Sequence, residues 1–250
     1  MVLPVGRRLS LIVLGSLQQP SRTSSPSLLT RRTMMMMMMS SAHSGNSAAA
    51  TATSTIAVAQ LTSTSSKWDN LVDVARCAGW AKQQNCSMLF LPECFGFIGS
   101  SAAETLEAAE DVPKANAVAL TEFLTHTIAH PDGNNDAISK EDVLNSEVSL
   151  LDGVRHIAQD SRLWISAGGI HLKSKVQNNK VTNSHLILDD TGEMRAIYHK
   201  MHLFDVCIPE HNVDLRESKT TTPGTEAVVC PTTPIGTSEG VGHLSSLKKK

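Results

Sequence analysis

The chain has 250 residues, 41% hydrophobic and 18% charged, with a formal net charge of −2. The length allows one large domain or two small ones, and the charge gives no footprint for nucleic acid or a membrane surface. Aromatic residues make up 4%, so a core has to be built from Ala, Val, Ile and Leu.

The charge is unevenly spread. Residues 1–66 hold five arginines (Arg7, Arg8, Arg22, Arg31, Arg32), no lysine and no acid, among many Ser and Thr. Arginine-rich, serine-rich and acid-free composition describes an organellar transit peptide. Residues 1–55 are therefore expected to be a disordered targeting leader, with mitochondria as the first destination and a plastid less favoured. Two alternatives stay open. Leu9–Leu17 behind Arg7 and Arg8 resembles a secretory core, too short to span a bilayer. The run Met34–Met39 offers downstream starts that would leave the protein in the cytoplasm.

The folded part is expected from Ile56. IAVAQL (56–61) is short, apolar and β-branched, as a buried strand should be, and TSTSS (62–66) supplies loop and helix N-cap chemistry. From Lys67 the apolar residues Trp68, Leu71, Val72, Ala75 and Ala78 share one helical face, which predicts a helix to about Gln84. SMLFLPE (87–93) reads as a second buried strand. HPDGNNDAISKED (130–142) reads as a polar surface insertion. EVSLLDGVRHIAQDSR (147–162) puts Val148, Leu151, Val154, Ile157 and Ala158 on one helical face, and LWISAGGI (163–170) follows as a strand. Residues 181–200 read as two strands joined by the turn Asp189-Asp190-Thr191-Gly192. Helices alternating with buried strands predict an α/β fold.

Two charged residues occupy informative places. Glu93 follows Pro92 at the C-terminal end of a buried strand, where open α/β sheets place ligand-binding groups. Apolar neighbours would desolvate its carboxyl and raise its pKa towards that of a useful base. Taken alone, a solvated loop glutamate is the better reading. Lys200 sits where a strand meets a loop, and its ammonium could stabilise an oxyanion. His199, His202 and Asp205 nearby suggest metal ligation more weakly, since no second ligand cluster accompanies them. The five cysteines (Cys77, Cys86, Cys94, Cys207, Cys230) are odd in number and form no CxxC pair, which argues against a disulfide framework or a zinc ribbon.

Five ordered segments together resemble the nitrilase (carbon–nitrogen hydrolase) superfamily. They are LPE at 91–93, GGIHL at 168–172, the hairpin SHLILDDTGEMRAIYHK ending at Lys200, HLFD at 202–205, and RES at 216–218 with Pro223-Gly224. The similarity covers about 56–237, and the branch most like it is the Nit-type amidases similar to deaminated-glutathione amidase. The resemblance implies a four-layer α-β-β-α sandwich, incomplete at its C-terminus, and hydrolysis of small linear amides without metal or organic cofactor. It implies Glu93 as general base, Lys200 as the oxyanion-stabilising cation and Glu217 as a second glutamate orienting the lysine. It also implies a small-molecule amide as partner, no nucleic acid or membrane, and a homo-oligomer if the fold is complete.

The family's third element is a cysteine that attacks the amide carbon, giving a thioester and ammonia before water completes hydrolysis. Residues 238–250 (SEGVGHLSSLKKK) contain none and read as a tail outside the family. Cys94 is expected to point away from Glu93, because neighbouring side chains on an extended backbone face opposite sides. Cys77 and Cys86 read as packing residues of the first helix. The chain is therefore expected to be truncated and inactive, with a non-catalytic binding or interaction protein as the alternative.

Overall fold

The computed structural model describes residues 9–14, 35–42, 53–111, 118–133 and 149–236. Within them the strands are β1 (Leu9–Leu14), β2 (Met35–Ala42), β3 (Thr53–Gln60), β4 (Met88–Leu91), β5 (Trp164–Lys173), β6 (Val181–Leu188), β7 (Met194–His199), β8 (Asp205–Ile208) and β9 (Val213–Arg216). The helices are α1 (Lys67–Gln83), α2 (Ala102–Ala108), α3 (Val118–Ala129) and α4 (Leu150–Ser161). Strands β1 to β7 form one sheet in chain order, and β8 and β9 form a separate antiparallel ribbon. Strands β3, β4 and β5 run parallel, with antiparallel pairs on either side. No helix among the described residues is long and apolar enough to cross a membrane.

Local chemistry accounts for the helix limits. Ser66 caps α1 by accepting from the Asp69 N–H at 3.2 Å, and Ser149 caps α4 by accepting from that of Asp152 at 3.2 Å. Arg162 closes α4 in the left-handed region at φ 57°. The predicted face of α1 is buried at all five positions, but so are Asn70, Asp73, Val74, Cys77 and Ala81. The wider burial arises because α1 packs on β3 and β4 while α3 and α4 also lie against it. Trp68 meets Phe123 of α3 with ring centroids 4.4 Å apart.

One face of the sheet (Ala57, Leu89, Ile165, Ala167, Leu186, Leu188) forms the main core with Leu71, Val74, Leu124, Leu151, Val154 and Ile157. Each of these large side chains contributes about 1.5–3 kcal/mol by leaving water. Glu110 ties the layers together. Its carboxylate accepts from Lys67 Nζ (2.8 Å) and from the N–H groups of Leu150 (2.7 Å) and Leu151 (3.0 Å), at the positive end of α4. On the opposite face Met88 and Ile187 meet Cys230 and Ile235, with Ile56, Phe90, Trp164 and Ala196 around them. The seven-stranded sheet thus carries helices on one face, an α-β half of the expected sandwich.

Two stretches depart from the expected disordered leader. Leu9–Leu14 and Met35–Ala42 are strands, each antiparallel to its neighbour, and β2 pairs with β3 from Met35↔Gln60 to Ala42↔Thr53. Without β2, β3 would be an open edge with a row of unpaired N–H and C=O groups. The rest of 1–52 lies outside the described residues, as do residues 134–142 of the polar insertion and residues 238–250 of the tail.

Candidate active site

Strand β4 ends at Leu91, and Pro92 carries the chain out of the sheet between the parallel neighbours β3 and β5, leaving Glu93 at its C-terminal edge. Strand β7 ends at His199, and Lys200 follows. Its backbone is gripped on both sides, as Lys200 N–H donates to Asn183 O (2.8 Å) and Gly224 N–H donates to Lys200 O (2.9 Å). A side chain at position 224 would collide with the His199 carbonyl, which explains the glycine after Pro223. Glu217 opens a 3₁₀ turn and exchanges bonds with Phe204: its N–H donates to Phe204 O (3.1 Å), and its Oε2 accepts from Phe204 N–H (2.6 Å).

Three sequence-predicted residues therefore converge. Lys200 Nζ donates to Glu93 Oε1 and to Glu217 Oε2, each at 2.9 Å. The lysine side chain is 12% exposed and that of Glu217 19%, whereas that of Glu93 is 47% exposed and borders open space. That space is a cleft of about 420 Å³ over the sheet, walled by Ile56, Val58, Phe90, Leu91 and Tyr198 and reaching Glu93, Asn183 and Lys200 at one end. The arrangement is an ammonium held between two carboxylates beside an apolar pocket. It can place one positive charge and one proton acceptor against a bound carbonyl.

The electrostatics correct one expectation. Burial does push the Glu93 carboxyl up, but the hydrogen bond and charge of Lys200 and the Asn183 amide outweigh it, so Glu93 lies below the ordinary carboxylate range. Burial pushes the Lys200 ammonium down, and the bonds and charges of Glu93 and Glu217 outweigh it, leaving the net direction upward. The resting site holds a charged lysine and an ionised Glu93. His171, on β5, is pushed down by burial against the pull of both glutamates, and its net direction is down.

The metal alternative finds no support in the geometry. His199 Nδ1 is bonded to Ser184 Oγ at 2.8 Å, His202 is exposed, and Asp205 accepts from Ser218 N–H and Oγ. Among the described residues no group of three His, Cys, Asp or Glu could hold a metal ion.

All five cysteines lie among the described residues. Cys77 and Cys86 are buried, with thiols pushed up by burial, as packing residues would be. Cys207 is exposed on β8, and Cys230 is buried on the far face of the sheet against Met88 and Ile187. Cys94 departs from the sequence reading. It is not extended but left-handed at φ 54°, so the rule of opposite faces does not apply, and its thiol feels the charges of Glu93, Lys200 and Glu217. Burial dominates there and pushes the thiol up to about 11, so at neutral pH it is protonated.

Sequence reasoning missed two residues. Asn183 donates from Nδ2 to Glu93 Oε1 at 2.7 Å and to Glu217 Oε1 at 3.4 Å. Gly169 sits at φ 85° in an irregularity of β5, and a Cβ there would lie 2.9 Å from Asn183 Oδ1 and 3.2 Å from Glu93 Cγ. Both left a signal. An asparagine inside a strand is out of place by propensity, and paired glycines inside a strand mark a bulge or a close approach.

The family profile described as carbon-nitrogen hydrolase matches residues 55–243. The "nitrilase and fragile histidine triad fusion protein NitFhit" of Drosophila melanogaster is 36% identical over 187 residues, which is 75% of this chain and 31% of that protein. The human "deaminated glutathione amidase" is 31% identical over 183 residues, 72% of this chain and 45% of that protein. The crystal structure of the C. elegans NitFhit protein superposes with a TM-score of 0.52 at 31% identity, over 73% of this chain and 36% of that one. The chain thus spans less than half the length of each of these three relatives.

Proposed function

The chain belongs to the carbon–nitrogen hydrolase family, as an amidase-type member of the nitrilase superfamily, and from that premise we propose that its site binds and polarises small linear amides. The observation that carries this is the single ammonium of Lys200 held 2.9 Å from both Glu93 and Glu217 at the end of an apolar cleft. Glu93 is the proton acceptor, Lys200 the cation for the developing oxyanion, and Glu217 the group that aims the lysine. The preferred substrate is an ω-amide of the deaminated-glutathione kind, in line with what the similar human amidase is named for. A homo-oligomer is the assembly this reading expects where the fold is complete.

The proposal extends to activity. Hydrolysis by this chemistry needs a thiol that passes its proton to Glu93 as its sulfur attacks the amide carbon. Cys77, Cys86 and Cys230 are buried, Cys207 is exposed on the β8–β9 ribbon, and burial holds the Cys94 thiol up at about 11 while Lys200 and Asn183 hold Glu93 low, so proton transfer between them is uphill. Residues 1–250 are therefore a binding site with a base and an oxyanion cation but no working nucleophile. This favours a second reading, in which the chain acts as a non-catalytic binding or interaction protein.

Ammonia release from ω-amides by purified 1–250, with amide binding followed by calorimetry, tests both parts. We expect binding that is lost in Lys200→Met, and ammonia release at the background rate. Hydrolysis that survives Glu93→Ala and Lys200→Ala overturns the site. Hydrolysis that requires Glu93, Lys200 and Cys94 together overturns the statement about the nucleophile and assigns it to Cys94.

A further inference from the structure

Besides Lys200, Asn183 is the one described side chain that bonds both carboxylates of the site. It is 4% exposed and lies in β6 opposite His171 of β5. Its Nδ2 donates to Glu93 Oε1 at 2.7 Å and lies 3.4 Å from Glu217 Oε1, while its backbone carbonyl accepts from Lys200 N–H at 2.8 Å. One residue thus fixes where the lysine side chain begins and where the Glu93 carboxylate ends. The bare backbone of Gly169 lets the two side chains come together, since a Cβ there would meet Asn183 Oδ1 and Glu93 Cγ.

The two oxygens of Glu93 are left unequal. Oε1 accepts from both Asn183 and Lys200, whereas Oε2 accepts no hydrogen bond from any described residue. Resting on the amidase reading above, we propose that Asn183 is a positioning residue for the general base. Its amide, acting with Lys200, pins Glu93 through Oε1 and leaves Oε2 as the oxygen that takes up a proton in the cleft. A neutral amide suits that place for a physical reason. It adds a donor without adding charge, so it orders the carboxylate while leaving the balance of one cation between two anions intact. An aspartate of the same shape would set a third carboxylate against the pair.

The test is a titration of Glu93 itself, by carbon-13 NMR of the full chain labelled at the glutamate carboxyl carbon and assigned through Glu93→Gln. The groups that act on this carboxylate are Lys200, Asn183 and His171, with Cys94 beside it and Glu217 across the lysine. In Asn183→Leu, loss of one charge-assisted bond should raise the proton affinity of Glu93 about tenfold. In Asn183→Asp the rise should be larger, because a charge is added as well as a bond lost. Far-UV circular dichroism and thermal melting establish that each variant is folded, with Asn183→Ala taking the place of Asn183→Leu if the latter does not fold.

Wild-type titration of Glu93 in the apolar variant overturns the proposal. So does a shift in Asn183→Asp alone, which would report added charge and no lost bond. Lys200→Met separates this from the reading it rests on. If Lys200→Met raises the proton affinity of Glu93 and the Asn183 variants do not, the site stands and only the role of Asn183 falls. If none of them moves Glu93, the three-residue site itself falls.

Discussion

Replacing Lys200 with methionine keeps an unbranched side chain of similar bulk and removes the one charge that separates Glu93 from Glu217. The two carboxylates, each 2.9 Å from Nζ in the native site, then face each other across at most roughly 6 Å, where like charges repel by about 3 kcal/mol at an effective dielectric of about 20. Nearly half of the Glu93 side chain is exposed, so screening trims that repulsion to about 1–2 kcal/mol. Adding the lost charge-assisted bonds, less the cost of burying the ammonium, gives a net destabilisation of about 2–3 kcal/mol near pH 8.

The pH dependence is the sharper test. In the wild type the lowered Glu93 contributes stability that is present above the ordinary carboxylate pKa and is lost as pH falls through the lowered one. The raised Lys200 contributes stability that is present below the ordinary lysine pKa and is lost as pH rises through the raised one. In Lys200→Met the Glu93 carboxylate loses the pull of the ammonium and keeps the repulsion of its neighbouring carboxylate, so the variant recovers stability as acid protonates Glu93. The gap between the proteins should therefore be widest near neutral pH and narrow steadily towards about pH 4. Urea unfolding followed by the fluorescence of Trp68, Trp80 and Trp164 measures it. A gap that stays constant from about pH 8 to about pH 4 would mean that Lys200 acts by packing alone, and the argument from charge would be refuted.

Other consequences are equally direct. Gly169→Ala should cost about 2 kcal/mol or more, because alanine is strained at φ 85° and its methyl meets Asn183 and Glu93, and amide binding should weaken with it. Thermal melting and calorimetry on the same sample read both effects. Glu110→Gln should destabilise nearly as much as Glu110→Ala, by about 3 kcal/mol, since the amide loses the Lys67 ion pair and turns an NH₂ towards donors that need an acceptor. A glutamine that melts like wild type would show that the cap at α4 does not depend on charge. Residues 1–55 fused to a fluorescent reporter should direct it to mitochondria; a diffuse signal would count against a transit peptide, and a secretory pattern would favour the Leu9–Leu17 reading.

What was legible in the sequence is what depends on near neighbours. The face of α1, its Ser66 cap, the hairpin turn at Asp189–Gly192 and the strand endings at LPE and YHK follow from spacing and local chemistry, and all appear in the fold. The resemblance of ordered segments added that Glu93, Lys200 and Glu217 belong together, although no local rule could join them. What only the tertiary structure decided depends on residues far apart in the chain. Lys200 bonds Glu93 across 107 positions, and Asn183 bonds it across 90. The direction of the Glu93 shift turned on those two donors, which the apolar strand behind it gave no reason to expect. The pairing of Met35–Ala42 with β3 joins segments that no short-range pattern connects. Cys94 came near the charges because its backbone turned left-handed after Glu93, where an extended chain would have carried it away. Short-range preferences set the elements, and the balance of charge and desolvation that makes a site arises only when those elements are packed together.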